Sequence, residues 1–218
     1  MEDPAKEIAD VALLVTAAVN PEVQKAAVLK YYAADMRFRH PLCAVSHAPH
    51  SRDAMLSILQ WYRIMSPVLS VHVNGVTYDA EKKAAFLDIT QVFHIRWSPL
   101  KPAPSRLIVH LTLRPEPSPT DPSKTIYVIS EHEDFYHPDD LAALVIPPLI
   151  PLIRLGLHTA TLACRVNARV FEALGYWSVK DGEGGEAVAL RPEGEPLPPI
   201  GAEEQSALEL DGKRKKDE

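Results

Sequence analysis

The chain has 218 residues, 46% of them hydrophobic, and a formal net charge of −6, which suits one domain with a tail. Such a composition describes a soluble globular protein and excludes a broad basic field for nucleic acid. No CxxC, HExxH or GxGxxG pattern occurs, so strong motifs for structural zinc, zinc proteases and dinucleotide binding are absent.

Asp3–Ala18 reads as a first helix. Asp3 is placed to cap it, Pro4 suits the first helical position, and Ile8, Val11, Leu14 and Val15 share a face. Asn20-Pro21 restarts the chain, and Glu22–Tyr32 is a second helix with Val23, Ala27 and Leu29 as its expected buried residues. Ala33-Ala34-Asp35 should end it. Met36–Pro41 is then short and extended. Ser51 or Asp53 opens a third helix to about Met65, carrying Met55, Ile58, Leu59 and Tyr62, and Pro67 stops it.

Four strands follow. Leu69–Tyr78, Ala84–Trp97, Arg106–Arg114 and Thr125–His137 are rich in β-branched and aromatic residues and separated by Pro-rich joints. In Ala84–Trp97 the odd positions are apolar except for Gln91, while Asp88, Thr90, His94 and Arg96 fall on the even ones. An antiparallel meander with one covered face is expected, the cover coming from the upstream helices. Leu87, Ile89, Phe93, Ile95, Val109 and Leu111 should face inward. Pairing Ile95 with Leu107 would set Asp88 opposite Arg114.

The motifs HPLC (His40–Cys43), WYRIMSP (Trp61–Pro67), DITQVF (Asp88–Phe93) and EDFY (Glu133–Tyr136), in this order of elements, resemble the nuclear transport factor two-like superfamily. Within it they resemble the fungal sigma-factor-F-like branch. The resemblance spans roughly Asp3 to His137. It implies an α+β fold, three N-terminal helices over a strongly bent antiparallel sheet, enclosing a cone-shaped pocket. That pocket serves isomerases, dehydratases and polyketide cyclases in some relatives and non-enzymatic binding in others.

Residues 1–140 are thus expected to form the cone, and 141–178 an appendage the minimal fold does not need. Pro147, Pro148 and Pro151 interrupt its apolar run, which falls short of an uninterrupted membrane span. From Leu152 a helix would set Arg154, His158, Thr161, Arg165, Arg169 and Glu172 on one stripe. Leu152, Val170 and Phe171 lie opposite, beside Gly156, Ala160, Ala163 and Leu174. A basic polar stripe on an apolar helix suits a bilayer or lipid-droplet surface. Residues 179–218 read as a solvated tail, with KRKK (Lys213–Lys216) flanked by acids.

The resemblance puts His40 where steroid-isomerase relatives carry a general-base aspartate immediately before a proline. Imidazole can move protons near neutral pH. Those isomerases also carry an oxyanion-stabilising tyrosine on the first helix, where this chain offers Val11, Leu14 or Thr16, and that difference tilts the reading toward binding. His132 and Asp134 share a face of the last strand with Ser130. This face is taken as inward because Ile126 and Val128 extend it, and because Glu131 and Glu133 are better left in water. The catalytic candidates are therefore His40, His132 and Asp134.

Tyr32, Tyr62, Gln91 and Phe93 are candidate ligand contacts. Gln91 either ties to a neighbour or meets the ligand, and only one of Trp61 and Tyr62 can face inward. His40, His47, His50, His72, His94 and His110 show no ligand spacing, so neither a metal nor a cofactor is expected. Cys43 and Cys164 read as reduced thiols and no signal peptide is evident, implying an intracellular protein on the cytoplasmic face of a membrane or droplet. The expected function is binding of a small apolar molecule or lipid at such a surface, with a homodimer possible. The alternative is a cofactor-free isomerase, dehydratase or cyclase.

Overall fold

The computed structural model describes residues 1–175. Met1–Thr161 is one compact unit and a second begins at Leu162. The tail expected over 179–218, with its KRKK run, lies outside the described residues.

Helix α1 (Pro4–Thr16) buries Ile8, Val11 and Val15 but leaves Leu14 exposed. Asp3 does not cap it with its side chain. Its carboxylate pairs with Lys6 at 2.7 Å, and the Glu7 carboxylate accepts the Glu2 and Asp3 amides, both at 2.7 Å. Helix α2 (Pro21–Tyr31) is capped by the Asn20 side chain, which accepts the Val23 amide at 2.9 Å. It buries Gln24, Ala27, Val28 and Tyr31. Of the residues expected there only Ala27 is buried, and Leu29 points to solvent. Polarity hid the true stripe, because Gln24 belongs to it. Its amide donates to the Val15 carbonyl at 2.7 Å, so burial leaves that group satisfied.

The chain then turns straight into a strand. Strand β1 (Tyr32–His40) takes in Ala33-Ala34-Asp35, expected to end the helix. Tyr32, Ala33, Met36, Phe38 and His40 are its buried residues. After β2 (Cys43–Val45) comes α3 (Ser51–Met65), whose first hydroxyl donates to the Met36 carbonyl at 2.5 Å. Met55, Leu56 and Leu59 are buried, Tyr62 half so, and Trp61 lies outside at 50% exposure.

Strands β3 (Leu69–Asp79), β4 (Ala84–Phe93), β5 (Pro104–Pro117) and β6 (Thr125–Tyr136) complete a six-stranded sheet ordered β2-β1-β6-β5-β4-β3. The expected antiparallel meander is β3 to β6. The sheet as a whole is mixed, because β1 returns beside β6 in parallel. A parallel neighbour needs a long crossover. Here α3 and four strands supply it, so local sequence carried no sign of the pairing.

Leu87, Ile89, Val109 and Leu111 are buried in the core, and Phe93 and Ile95 line the cavity beneath the helices. Asp88 instead shares the outer side with Thr90, Asn74 and Arg106, joined by side-chain bonds. The expected Asp88–Arg114 pair does not form. Leu107 faces Ile89, not Ile95, and Asp88 bonds Arg106 at 2.6 Å. Arg114 clasps Asp35 at 2.7 Å and Glu116 at 2.9 Å.

The register moved because β4 stops at Phe93. The His94 amide donates to Ser66 Oγ at 3.0 Å and the Arg96 amide to the Met65 carbonyl at 2.7 Å. Those backbone groups tie the segment to the end of α3 and draw it off the sheet.

Helix α4 (Pro138–Val145) packs on β5, where Asp140 accepts the Arg106 amide at 2.8 Å and its carbonyl accepts the Ser105 hydroxyl at 2.8 Å. A 3-10 turn at Pro147–Leu149 leads into α5 (Ile150–Ala173). The prolines expected to interrupt the apolar run sit in this turn and at the second position of α5. The missing N–H of a proline breaks no bond in a first turn. Pro147–Ala173 is therefore long and apolar enough, by length and composition, to cross a membrane, and none of its apolar window is buried.

Candidate functional site

The concave face of the sheet and the helices above it enclose a cavity of about 250 Å³. Most of its wall is aliphatic, including Val15, Leu59, Val71, Ile89, Val109 and Ile129. The α4 residues Leu144 and Val145 add to the wall. All three catalytic candidates and all four ligand candidates of the sequence reading line this one cavity.

Strand period puts His132, Asp134 and Tyr136 on the same side of β6. The inward face is the one expected, and Glu131 and Glu133 stay off the cavity wall, but Val128 does not extend that face. Between Ile129 and Glu131 the strand bulges, with Thr112 facing Glu131 and Leu113 facing Ile129. The extra residue shifts the alternation, so the cavity face continues to Ile129, not Val128. Ser130, expected in line with His132, is taken out of the set, and its hydroxyl donates to the Thr112 carbonyl at 3.1 Å.

A chain of hydrogen bonds runs across the cavity wall. Tyr32 and His132 meet at 2.9 Å through Nδ1, and His132 Nε2 lies 3.0 Å from Asp134 Oδ1. Burial, then the nearby Asp134 charge, pushes the Tyr32 phenol far above its ordinary range. It therefore stays protonated and donates to Nδ1, which leaves Nε2–H to donate to the carboxylate. His132 and Asp134 side chains are only 7% and 11% exposed. Asp134 Oδ2 has no partner among the described residues.

His40 is buried against Phe38, Tyr62 and Tyr136. Its Nδ1 accepts the Leu42 amide at 3.2 Å. An amide can only donate, so this assigns the neutral ring a proton on Nε2. Burial lowers the His40 pKa, with Asp134 opposing and His132 assisting, so the neutral form dominates at pH 7. The expected general-base role needs a free lone pair, and the neutral ring has none to offer. What His40 presents is a donor for an oxygen atom.

Tyr62 stands beside this imidazole, its hydroxyl 3.4 Å from Nδ1 and 3.2 Å from Cys43 Sγ. Burial raises its pKa and that of Tyr136 far above the phenol range. Gln91, left between two roles by the sequence, donates to the Tyr136 hydroxyl at 2.8 Å. Phe93 packs edge-on to Tyr62, with ring centroids 6.3 Å apart. Tyr136 was missed, though its even spacing from His132 and Asp134 was a sufficient signal. Leu144 and Val145 lay in the segment read as an appendage and had no such signal. Among the described residues no three His, Cys, Asp or Glu side chains gather as a metal would require.

A bent sheet roofed by three helices around one cavity defines a nuclear-transport-factor-two-like protein. The chain belongs to the SigF NTF2-like domain family, whose model matches residues 1–176. The family domain therefore includes α4, α5 and their joint, read from sequence as lying beyond the fold. No curated protein matches the chain.

Among solved structures, the chain is similar to an NTF2-like protein from Anabaena variabilis. Identity is 10%, with 61% of this chain and 88% of that chain covered, at a TM-score of 0.45. It is also similar to a protein with a ketosteroid isomerase-like fold from Catenulispora acidiphila, in complex with trimethylamine. Here identity is 15%, coverage 62% and 91%, and TM-score 0.41. A SnoaL-like family protein from Agrobacterium tumefaciens matches at 15% identity, 60% and 94% coverage, and TM-score 0.43. Likeness at these levels carries no argument about activity.

Proposed function

We propose that the cone binds a small, largely apolar carbonyl compound and, without a cofactor, moves a proton within it. The reaction type is that of an isomerase, dehydratase or cyclase. One observation carries the reading: Asp134, with one carboxylate oxygen unpartnered among the described residues, and His40, whose Nδ1 is taken by the Leu42 amide, line the same apolar cavity. Asp134 would take a proton from the carbon beside the carbonyl, and His40 Nε2–H would hold the oxygen as it becomes an enolate. The protonated Asp134 then returns its proton to another carbon, so charge and atoms balance. His132 orients the carboxylate and Tyr32 holds the His132 tautomer. The missing tyrosine of the first helix ceases to favour binding alone, since His40 supplies a donor from β1.

Incubation in D₂O with a panel of cyclic ketones and enones tests this. Exchange of α-protons, followed by NMR, should appear with the wild-type protein above the rate without protein. If ketones broaden and shift the cavity resonances yet no exchange exceeds the blank, the cone is a receptor and not an enzyme.

The reading also includes a peripheral place on the cytoplasmic face of a membrane or lipid droplet, through α5. Leu152 and Val170 are exposed on one side of this helix, and Arg165 and Arg169 are exposed on the other. Arg154 is bridged to Asp139 at 2.9 Å, and His158 follows it on the basic stripe. A spanning pose would carry the arginines into hydrocarbon at ~2.5–3.5 kcal/mol each. An interfacial pose leaves them among headgroups, each adding ~1 kcal/mol on anionic lipid. The full chain should pellet with anionic vesicles, and a Leu152→Asp/Val170→Asp variant should stay in solution. If that variant melts the cone or splits a dimer, the helix is a protein interface and the membrane reading fails. A fungal source belongs to the same reading and rests on the sequence motifs.

A further inference from the structure

Away from the cone's interior, a second cavity of about 420 Å³ opens between the α1–α2 turn and the end of α3. Arg63 and Arg96 both line it, and no carboxylate does. Arg63 comes from the last turn of α3. It reaches only carbonyl oxygens, that of Ser66 at 3.3 Å and that of Ala18 at 3.4 Å. Arg96 is held on the same cavity because its amide donates to the Met65 carbonyl at 2.7 Å. Its guanidinium has no hydrogen-bond or ion-pair partner among the described residues.

The opposite wall begins α2, where Asn20 and Pro21 line the cavity. The N-terminal end of α2, capped by Asn20, thus meets the hollow together with the carbonyl end of α3. Val19, Ile64 and Pro67 supply an apolar rim. The carbonyls that Arg63 holds offset its charge in part, but no carboxylate on the wall balances the second guanidinium, that of Arg96. Arg presents its donors in a fork that matches carboxylate and phosphate oxygens.

We propose that this cavity is a second binding site, for a small soluble organic anion: a carboxylate or phosphate head on a short apolar chain. The head would lie between Arg63 and Arg96, and the chain against Val19, Ile64 and Pro67. The site is independent of the chemistry proposed for the cone, since it shares no lining residue with it.

Titration of the full-length protein with hexyl phosphate and with hexanoate, followed through the arginine Nε–H resonances, tests the assignment. Both Arg63 and Arg96 signals should move and saturate together for at least one probe. Arg96→Gln should weaken that binding by roughly tenfold or more, the worth of a lost charge-assisted bond. Both Arg96 and Val19 are exposed, so neither replacement disturbs the core. Val19→Asp, which sets a carboxylate at the rim, should weaken binding as well. Asp134→Asn should bind as the wild type does, whatever it does to proton transfer. The proposal is overturned if neither probe moves the two signals, or if Arg96→Gln binds equally well. The arginines would then serve only to cap the carbonyl end of α3.

Discussion

Replacing Asp134 by Asn should lower the rate of proton transfer by on the order of 10²–10⁴-fold, the usual contribution of a general base. Ligand affinity should change little, because the amide keeps the shape of the carboxylate and its oxygen can still accept from His132 Nε2. Stopped-flow or NMR exchange rates beside a binding titration separate the two effects. Equal rates in the variant and the wild type would remove Asp134 from the reaction.

The pH profile provides an independent check. In the proposed reaction His40 is a neutral donor, and burial lowers its pKa. The rate should therefore show no break in the ordinary imidazole range near 6.5, because a second proton is taken up only at lower pH and enters at Nδ1, against the Leu42 amide, while Nε2–H stays a donor. The stability dependence follows from the same shift. The unfolded imidazole binds a proton at higher pH than the folded one does. Stability is thus full above the unfolded value and declines as pH falls from it toward the folded pKa.

Phe38→Ala should be the most damaging single change in the core. Phe38 is only 1% exposed, stacks on His40 with centroids 6.4 Å apart and meets His132 edge-on at 5.2 Å. Removing a buried phenyl ring costs ~3–5 kcal/mol in transfer energy and residual cavity. That approaches the whole stability of many domains, ~5–15 kcal/mol. Both histidines would also lose the ring that fixes their planes. Phe86→Ala makes the comparison: Phe86 is 46% exposed and rests on His110 at 4.6 Å across the outer face. Its loss should cost at most ~1 kcal/mol. Urea midpoints of the two variants measure the contrast, and equal midpoints would mean that the inner wall is not the tightly packed one.

Much of this protein was determined locally and could be read without coordinates. The i, i+3, i+7 spacing of Ile8, Val11 and Val15 and the alternation through Leu87 and Ile89 each require only one element and one covered face. The same period set His132 and Asp134 together, which is why the core of the site was legible. Tyr32 and Tyr62 were legible only as options, since a phenol on a core face carries no sign of its partner.

Tertiary structure alone decided the rest. The parallel return of β1 to β6 joins residues a hundred positions apart, Tyr32 with His132, and no local spacing encodes that. The end of β4 at Phe93 depended on backbone groups of His94 and Arg96 finding acceptors at the end of α3. Once they did, the hairpin register moved, and Asp88 took Arg106 in place of Arg114. The His40 tautomer likewise rests on one backbone amide two residues away. Its direction depends on how the chain turns after β1, and this changes the residue from an expected base to a donor.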